Sequence, residues 1–373
     1  MSKVKRVYIS VTNDLSTDYR VFKVIKTLNE ADVQVTLVGR KLKNSPPYDS
    51  SEFNSIRFSL LYNKGPLFYA CYNIRLFLFL LFRKVDLLVS NDLDTLPANF
   101  FISKIKGVEL VYDSHEYFTE VPELVHRPKV KKTWERIEAY IFPKLKHVYT
   151  VCDSIATIYT EKYGVNVKTV RNLPLLKKLV VNDALKLKLT KPYFIYQGAL
   201  NLGRGIELMI ETMKYLEDYQ LVIAGGGDIE ENLKDLVQQN NLSDRIMMTG
   251  KVPFNRLKSI TQNALLGFSF EEDLGLNYRY ALPNKLFDYM HAGIPTLVSD
   301  LPEMREVIET NGTGEVLKSR EAIKIAEQIA QVFLEERNIQ YKANTLKASQ
   351  DLNWEQESFI LKEIYKDAGL TFE

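Results

Sequence analysis

Residues 193–228 read YFIYQGALNLGRGIELMIETMKYLEDYQLVIAGGGD. Tyr193–Tyr196 and Gln220–Ala224 are short apolar runs that each end near glycine, and Ile206–Tyr215 between them carries its apolar residues at helical spacing. Near-continuous apolar strands joined by a helix specify neighbours in a parallel sheet covered on both faces. Downstream the alternation continues through a helix over Asp228–Gln239, a strand at Ile246–Thr249, a helix from Phe254, a strand at Leu265–Phe270, a helix over Asn284–Ala292 and a strand at Thr296–Ser299. Upstream, Val4–Val11, Gln34–Val38, Asp86–Ser90, Glu109–Tyr112 and His147–Val151 read as strands. Arg20–Glu30, Ala98–Ile105 and Thr133–Ile141 read as helices, and Asp153 or Ser154 is suited to cap another.

Between the two series lies Arg171–Pro192, with two prolines and five lysines. The reading is α/β, with one doubly wound domain over 1–173, a linker near 173–191 and a second domain over 192–350. A chain of 373 residues exceeds the roughly 250–300 that one core supports, and a single barrel would not need the interruption. At 46% apolar and 26% charged residues the chain has ample surface for two cores, which excludes a disordered or disulfide-scaffold protein. The 49 Lys and Arg against 47 Asp and Glu give no global attraction to nucleic acid. Four His and two widely separated Cys, Cys71 and Cys152, suggest reduced thiols in the cytoplasm and offer no metal-ligand spacing. The basic amino terminus lacks a long apolar stretch and reads as a first strand of a non-exported protein.

Leu67–Phe82, LFYACYNIRLFLFLLF, is too short to span a bilayer and is interrupted by Asn73 and Arg75. It is either a buried helix or one that rests on a membrane surface, where Phe77 and Phe79 would meet lipid. Arg127, Lys129, Lys131, Lys132 and Arg136 form a basic cluster, either a solvated face or a contact for anionic headgroups or an acceptor phosphate.

Ligands of doubly wound sheets lie beyond the carboxyl ends of the strands. The turns there are Thr12–Asp14, Ser90–Asp92, Asp113–Glu116, Gln197–Ala199, Gly225–Asp228, Gly250–Lys251 and Glu271–Asp273. Gly225–Asp228 matches neither the dinucleotide fingerprint nor the P-loop, which weakens dehydrogenase and NTPase readings. Arg204 precedes a helix whose dipole already makes that end positive, a conflict that makes sense if a phosphate is shared there. Asp92-Leu93-Asp94 has the D-x-D form of a metal motif, but Asp94 is placed to cap the next helix, with Thr95 and Pro97 in its first turn. Asn284 is likewise placed as a cap, with Lys285 in the first turn and Asp288 one turn on.

Together with NDLSTDYRVFKVIKTL, SNDLDTLPA, VYDSHEYF, TGKVPFNRL, PNKLFDYMHAGIP and NWEQE, these segments resemble family 4 glycosyltransferases over nearly the whole length. The resemblance implies the GT-B fold, two Rossmann-like domains facing across a cleft with residues 351–373 packing back on the first. It implies retaining transfer from a UDP- or GDP-sugar to a glycan or lipid-linked glycan, in surface polysaccharide or glycoconjugate synthesis, with no metal or other cofactor. Arg204 and Lys285 would bind the diphosphate, and His115 would lie near the reaction centre. Gly198 and Gly226 would approach the nucleotide, Lys251 and Val252 would line the base, and Asp288 would bond the ribose. Asp14, Asp18 and Arg20 would face the acceptor. The family's first glutamate would fall near Tyr280, where no carboxylate stands, and Glu271, Glu272 or Asp273 would have to replace it. A cytoplasmic enzyme at the inner face of the membrane follows as the expected setting. A nucleotide-sugar epimerase and a non-catalytic nucleotide-sugar-binding subunit are the alternatives.

Overall fold

The computed structural model describes residues 4–15, 19–45, 53–125, 127–176, 187, 189–334 and 336–372. The chain divides into two compact units, Met1–Asn172 with Glu355–Glu373, and Leu173–Trp354.

The first unit contains β1 (Lys5–Asp14), α1 (Tyr19–Leu28), β2 (Val33–Arg40), β3 (Asn54–Phe58), α2 (Gly65–Leu81), β4 (Leu87–Asn91), α3 (Leu96–Lys106), β5 (Glu109–Ser114), α4 (Pro122–Val125), α5 (Pro128–Ile141), β6 (His147–Thr150), α6 (Asp153–Tyr163) and β7 (Val167–Thr169). The second contains β8 (Tyr193–Gln197), α7 (Ile206–Thr212), β9 (Gln220–Ala224), α8 (Glu230–Gln239), β10 (Ile246–Gly250), α9 (Phe254–Gln262), β11 (Leu266–Ser269), α10 (Leu276–Arg279), α11 (Asn284–Ala292), β12 (Thr296–Val298), α12 (Pro302–Asn311), β13 (Gly314–Val316), α13 (Ala322–Leu334) and α14 (Arg337–Asp351). The last helix, α15 (Trp354–Asp367), belongs from Glu355 onward to the first unit.

Among the described residues the first sheet is ordered β3-β2-β1-β4-β5-β6-β7 and the second β10-β9-β8-β11-β12-β13, with parallel pairings. Strand order therefore reverses between β1 and β4 in one unit and between β8 and β11 in the other. Each reversal opens a crevice at the strands' carboxyl ends. Right-handed crossovers put α1 on one face of the first sheet and α2, α3, α5 and α6 on the other. β4, β8 and β9 are buried throughout, which is why they read as continuous apolar runs.

Three edge strands, β3, β7 and β13, have no counterpart in the sequence reading, because they are only partly buried and so lack the continuous apolar run of the central strands. The expected caps also fail. The residues at the cap positions are Thr95 for α3, Cys152 for α6 and Pro283 for α11, none with a side-chain capping bond. Asp94 instead accepts a hydrogen bond from Thr12 (2.6 Å), and Asp153 pairs with Arg171 (3.1 Å).

Helix α2 is partly buried and partly exposed. Phe68, Tyr72, Leu76 and Leu80, at i, i+4 spacing, are buried, while Leu67, Ile74, Leu78 and Phe82 are exposed. Phe79, expected to reach lipid, lies against Phe58 (ring centroids 5.7 Å apart), and Phe77 is half-buried. Among the described residues no helix is long and apolar enough to cross a membrane.

Candidate functional site

In the second unit the loops after β8 and β9 are joined by Gly198 N–H donating to Ala224 O (3.0 Å) and Leu200 N–H to Gly226 O (3.3 Å). A Cβ on Gly225 would lie 1.8 Å from Gly198 O, and one on Gly227 2.4 Å from Leu200 O. Two of the three consecutive glycines thus serve the close approach of two backbones. Gly226 is different: its Cβ direction points to the Lys251 side chain, which brings two predicted donor-side residues together, with Val252 next in the chain.

Gly205, at φ 66°, turns the chain into α7 against the carbonyl of Phe270, and Arg204 precedes this turn. Its guanidinium lies 3.6 Å from Glu271 and 5.4 Å from the Tyr278 ring centroid. Lys285, in the first turn of α11, donates to Glu271 Oε1 (2.8 Å) and lies 4.2 Å from the Tyr196 ring centroid. Ser269 Oγ donates to the other carboxylate oxygen (2.6 Å). Of the three candidate acids only Glu271 enters the site, because Glu272 lies 3.8 Å from Arg320 and Asp273 pairs with Arg279. Arg320 donates to the carbonyls of Phe270 (3.1 Å) and Glu271 (3.3 Å), a support for the loop that the sequence did not disclose. Burial opposes the Glu271 charge, but Lys285, Ser269 and Arg204 hold the carboxyl below its ordinary range. Burial also lowers the Lys285 amine, with Glu271 working the other way. One turn along α11, Asp288 accepts from Gln197 Nε2 (3.0 Å), which is itself fixed through Thr261 (2.7 Å).

In the first unit Asp113, at the end of β5, is fully buried between Arg20 Nη2 (2.7 Å) and His115 Nε2 (3.1 Å). The other ring nitrogen of His115 is 3.4 Å from Asp92, whose carboxylate also accepts the His115 backbone N–H (2.8 Å). Burial alone would lower the imidazole, but Asp113 and Asp92 raise it to about 9, so His115 is an imidazolium at neutral pH. Burial opposes the Asp113 charge too, yet Arg20 and His115 hold it far below the carboxylate range. Asp92 and Asp94 are pushed up by burial to about 6 and about 7.

Arg20 corrects the sequence reading: it is 6% exposed and committed to Asp113 and to the Val170 carbonyl (3.3 Å), so it faces no acceptor. Asp14 is bound by Arg57 (3.0 Å) and Ser45, and Asp18 lies outside the described residues. A groove of about 990 Å³ opens beside this cluster. Thr12, Asp92, Asp94 and His115 line it, with Phe68, Tyr69, Phe118 and Trp134 as aromatic walls and exposed Arg127 and Lys129 at the α5 end. In the sequence these aromatics were indistinguishable from core residues.

Residues 181–348 match the family described as glycosyl transferases group 1. This stretch, a little under half of the chain, is similar to the group 1 glycosyltransferases. The glycosyltransferase MJ1607 of Methanocaldococcus jannaschii is 24% identical over 243 residues, which are 63% of this chain and 54% of that protein. The chain therefore matches about half the length of that relative. Among solved structures, sucrose-phosphate synthase (tll1590) from Thermosynechococcus elongatus superposes with a TM-score of 0.80 at 15% identity, covering 97% of this chain and 98% of the other. Anabaena Alr3699/HepE in complex with UDP-glucose superposes with a TM-score of 0.70 at 12% identity, covering 97% and 99%. These likenesses establish the GT-B glycosyltransferase fold for both units.

Within the matched residues, Arg204, Glu271 and Lys285 come from three different elements, the β8–α7 loop, the β11–α10 loop and α11. The trio carries one net positive charge beside the amino terminus of α11, an environment that favours an anion.

Proposed function

We propose that the protein is a retaining glycosyltransferase that moves a sugar from a UDP- or GDP-sugar to a glycan or lipid-linked glycan acceptor. The observation that carries this reading is the sharing of Glu271 between Arg204 and Lys285 at the start of α11. Cleavage of the bond between a sugar and a nucleoside diphosphate develops negative charge on the leaving oxygen. Fixed cations and a helix amino terminus stabilise that charge without reorganising. Arg204, 30% exposed, is the cation that meets the diphosphate, while buried Lys285 sets the local potential and holds the Glu271 carboxylate. The same charges meet the leaving group without a divalent metal. Asp288 is in place to take a ribose hydroxyl by yielding its bond to Gln197.

In the first unit His115 lines the groove with both ring nitrogens held by Asp113 and Asp92, so it sets a fixed positive charge at the groove wall, and the aromatic walls suit the apolar faces of sugar rings. Departure and attack on one face of the donor sugar is the mechanism consistent with these roles.

Calorimetric titration of the full chain with UDP and GDP tests the assignment. Arg204→Ala is expected to weaken nucleoside diphosphate binding about 10- to 100-fold, the range for a lost charge-assisted contact. Unchanged affinity in this variant overturns the diphosphate role. Incubation with nucleotide sugars in the absence of acceptor should release free sugar slowly, and an isomerised nucleotide sugar refutes transfer.

A further inference from the structure

Two neighbouring helices of the first unit expose a set of large apolar side chains. On α2, Leu67, Ile74 and Leu78 are each half or more exposed and Phe82 just beyond it is 82% exposed. On neighbouring α3, Phe101 and Ile105 are exposed one turn apart. Lys106 Nζ donates to the carbonyls of Leu81 and Arg83 (both 2.9 Å), tying the end of α3 to the end of α2 and making the two stripes neighbours. Exposed Tyr140 extends the patch through Phe100, whose ring lies 6.3 Å from Tyr140 and 5.6 Å from Phe101.

The charge carried by α2 and α3 has one sign. No Asp or Glu occurs in residues 53–85 or 95–108, whereas Arg83, Lys84 and Lys104 are exposed beside the stripe. A cleft of about 240 Å³ at the end of α3 is lined by Lys104, Lys144 and Lys146. Glu109 pairs with Lys146 (3.3 Å) on one side of it, and the amine of Lys144 lies 3.1 Å from the Tyr140 ring centroid. Apolar side chains ringed by cations, next to a small cationic cleft, match the layered chemistry of acyl chains beneath anionic headgroups.

We propose that the outward face of α2 and α3 docks on the surface of a bilayer rich in anionic lipid. The helix lies along that surface and does not cross it: 17 residues at 1.5 Å each extend about 25 Å, short of a hydrocarbon core of roughly 30 Å. A second copy of the chain is a poor occupant, because a two-fold contact through this face would oppose like charges. The inference deepens the proposed function by assigning the surface at which a lipid-linked acceptor would be met.

Sedimentation of the full chain with phosphatidylcholine vesicles, with and without phosphatidylglycerol, tests it. The chain is expected to bind the anionic vesicles only and to leave them in about 1 M salt, where the screening length falls to about 3 Å. Phe82→Ser with Phe101→Ser should weaken vesicle binding at least about tenfold. Lys104→Glu with Lys144→Glu should weaken it by about fivefold or more for each charge changed. All four side chains are exposed, so thermal unfolding and UDP affinity should remain as in the wild type, which separates this test from that of the donor site. Indifference of the wild type to anionic vesicles, equal binding to neutral ones, or unaltered binding by both variants overturns the proposal. A dimer dissolved by Phe82→Ser with Phe101→Ser, with vesicle binding unmoved, also overturns it and makes the face a contact between copies.

Discussion

Asp113 lies between Arg20 and His115 in the first unit, and Glu271 lies between Arg204 and Lys285 in the second. Both carboxylates are fully buried, Asp113 as the next-to-last residue of β5 and Glu271 just beyond β11. The surroundings differ. Around Asp113 two more acids, Asp92 and Asp94, crowd the same end of the sheet, and the arginine is sealed at 6% exposure. Around Glu271 the cations are in excess, and Arg204 is 30% exposed. The same electrostatic unit thus holds an imidazolium in place in one unit and leaves a cation available to an anion in the other.

The largest expected difference lies in charge removal. Asp113→Asn leaves the buried Arg20 guanidinium without a counter-ion that it cannot replace by losing a proton, and should cost about 3–5 kcal/mol in urea unfolding. Glu271→Gln should cost less, about 2 kcal/mol, since Lys285 can shed its proton and Arg204 can turn toward water. Equal losses break the comparison.

The next difference is one of sign with pH. The folded protein holds the His115 proton up to about 9 against an ordinary 6.5, so its contribution is complete below 6.5 and lost as pH rises through 9. Lys285 is shifted downward, so the unfolded chain binds its proton more tightly and stability rises toward the ordinary lysine range. His115→Gln should therefore remove an alkaline loss of at most about 3 kcal/mol, and Lys285→Met an alkaline gain. Unfolding curves between pH 6 and 10, an interval chosen about these two shifts, check both signs. Matching slopes for the two variants would show that the trios behave alike.

The smallest effect sharpens the assignment of the arginines. Arg20→Lys loses a two-pronged contact with Asp113 in a sealed site and should cost about 1–2 kcal/mol of stability. Arg204→Lys should change stability by about 0.5 kcal/mol or less while still weakening UDP binding. Thermal unfolding alongside UDP titration separates these roles.

Much of this was legible beforehand where a residue's neighbours in sequence decide its state. The strand and helix alternation and the placement of Arg204 before a helix both belong to that class. The failures have a common origin. Asp94, Asp153 and Asn284 have the chemistry of caps, but distant partners or a preceding proline decide how those helices begin. Arg20 was placed toward the acceptor by the resemblance, and only the approach of β5 makes it a buried ion-pair partner. Glu271, Glu272 and Asp273 are consecutive acids, and nothing local says which one turns inward.

By itself, then, the sequence determined two parallel α/β units and the turns in which their chemistry lies, because periodicity and glycine placement act over a few residues. Tertiary structure alone decided which side chains share a charge. Arg20 meets Asp113 across 93 positions, and Arg204 and Lys285 converge on Glu271 from separate elements. It also decided that half of α2 is core and half is surface, since a helix apolar on all sides does not reveal which face the sheet will cover. Burial and long-range pairing are properties of assembled layers, and no window of sequence contains them.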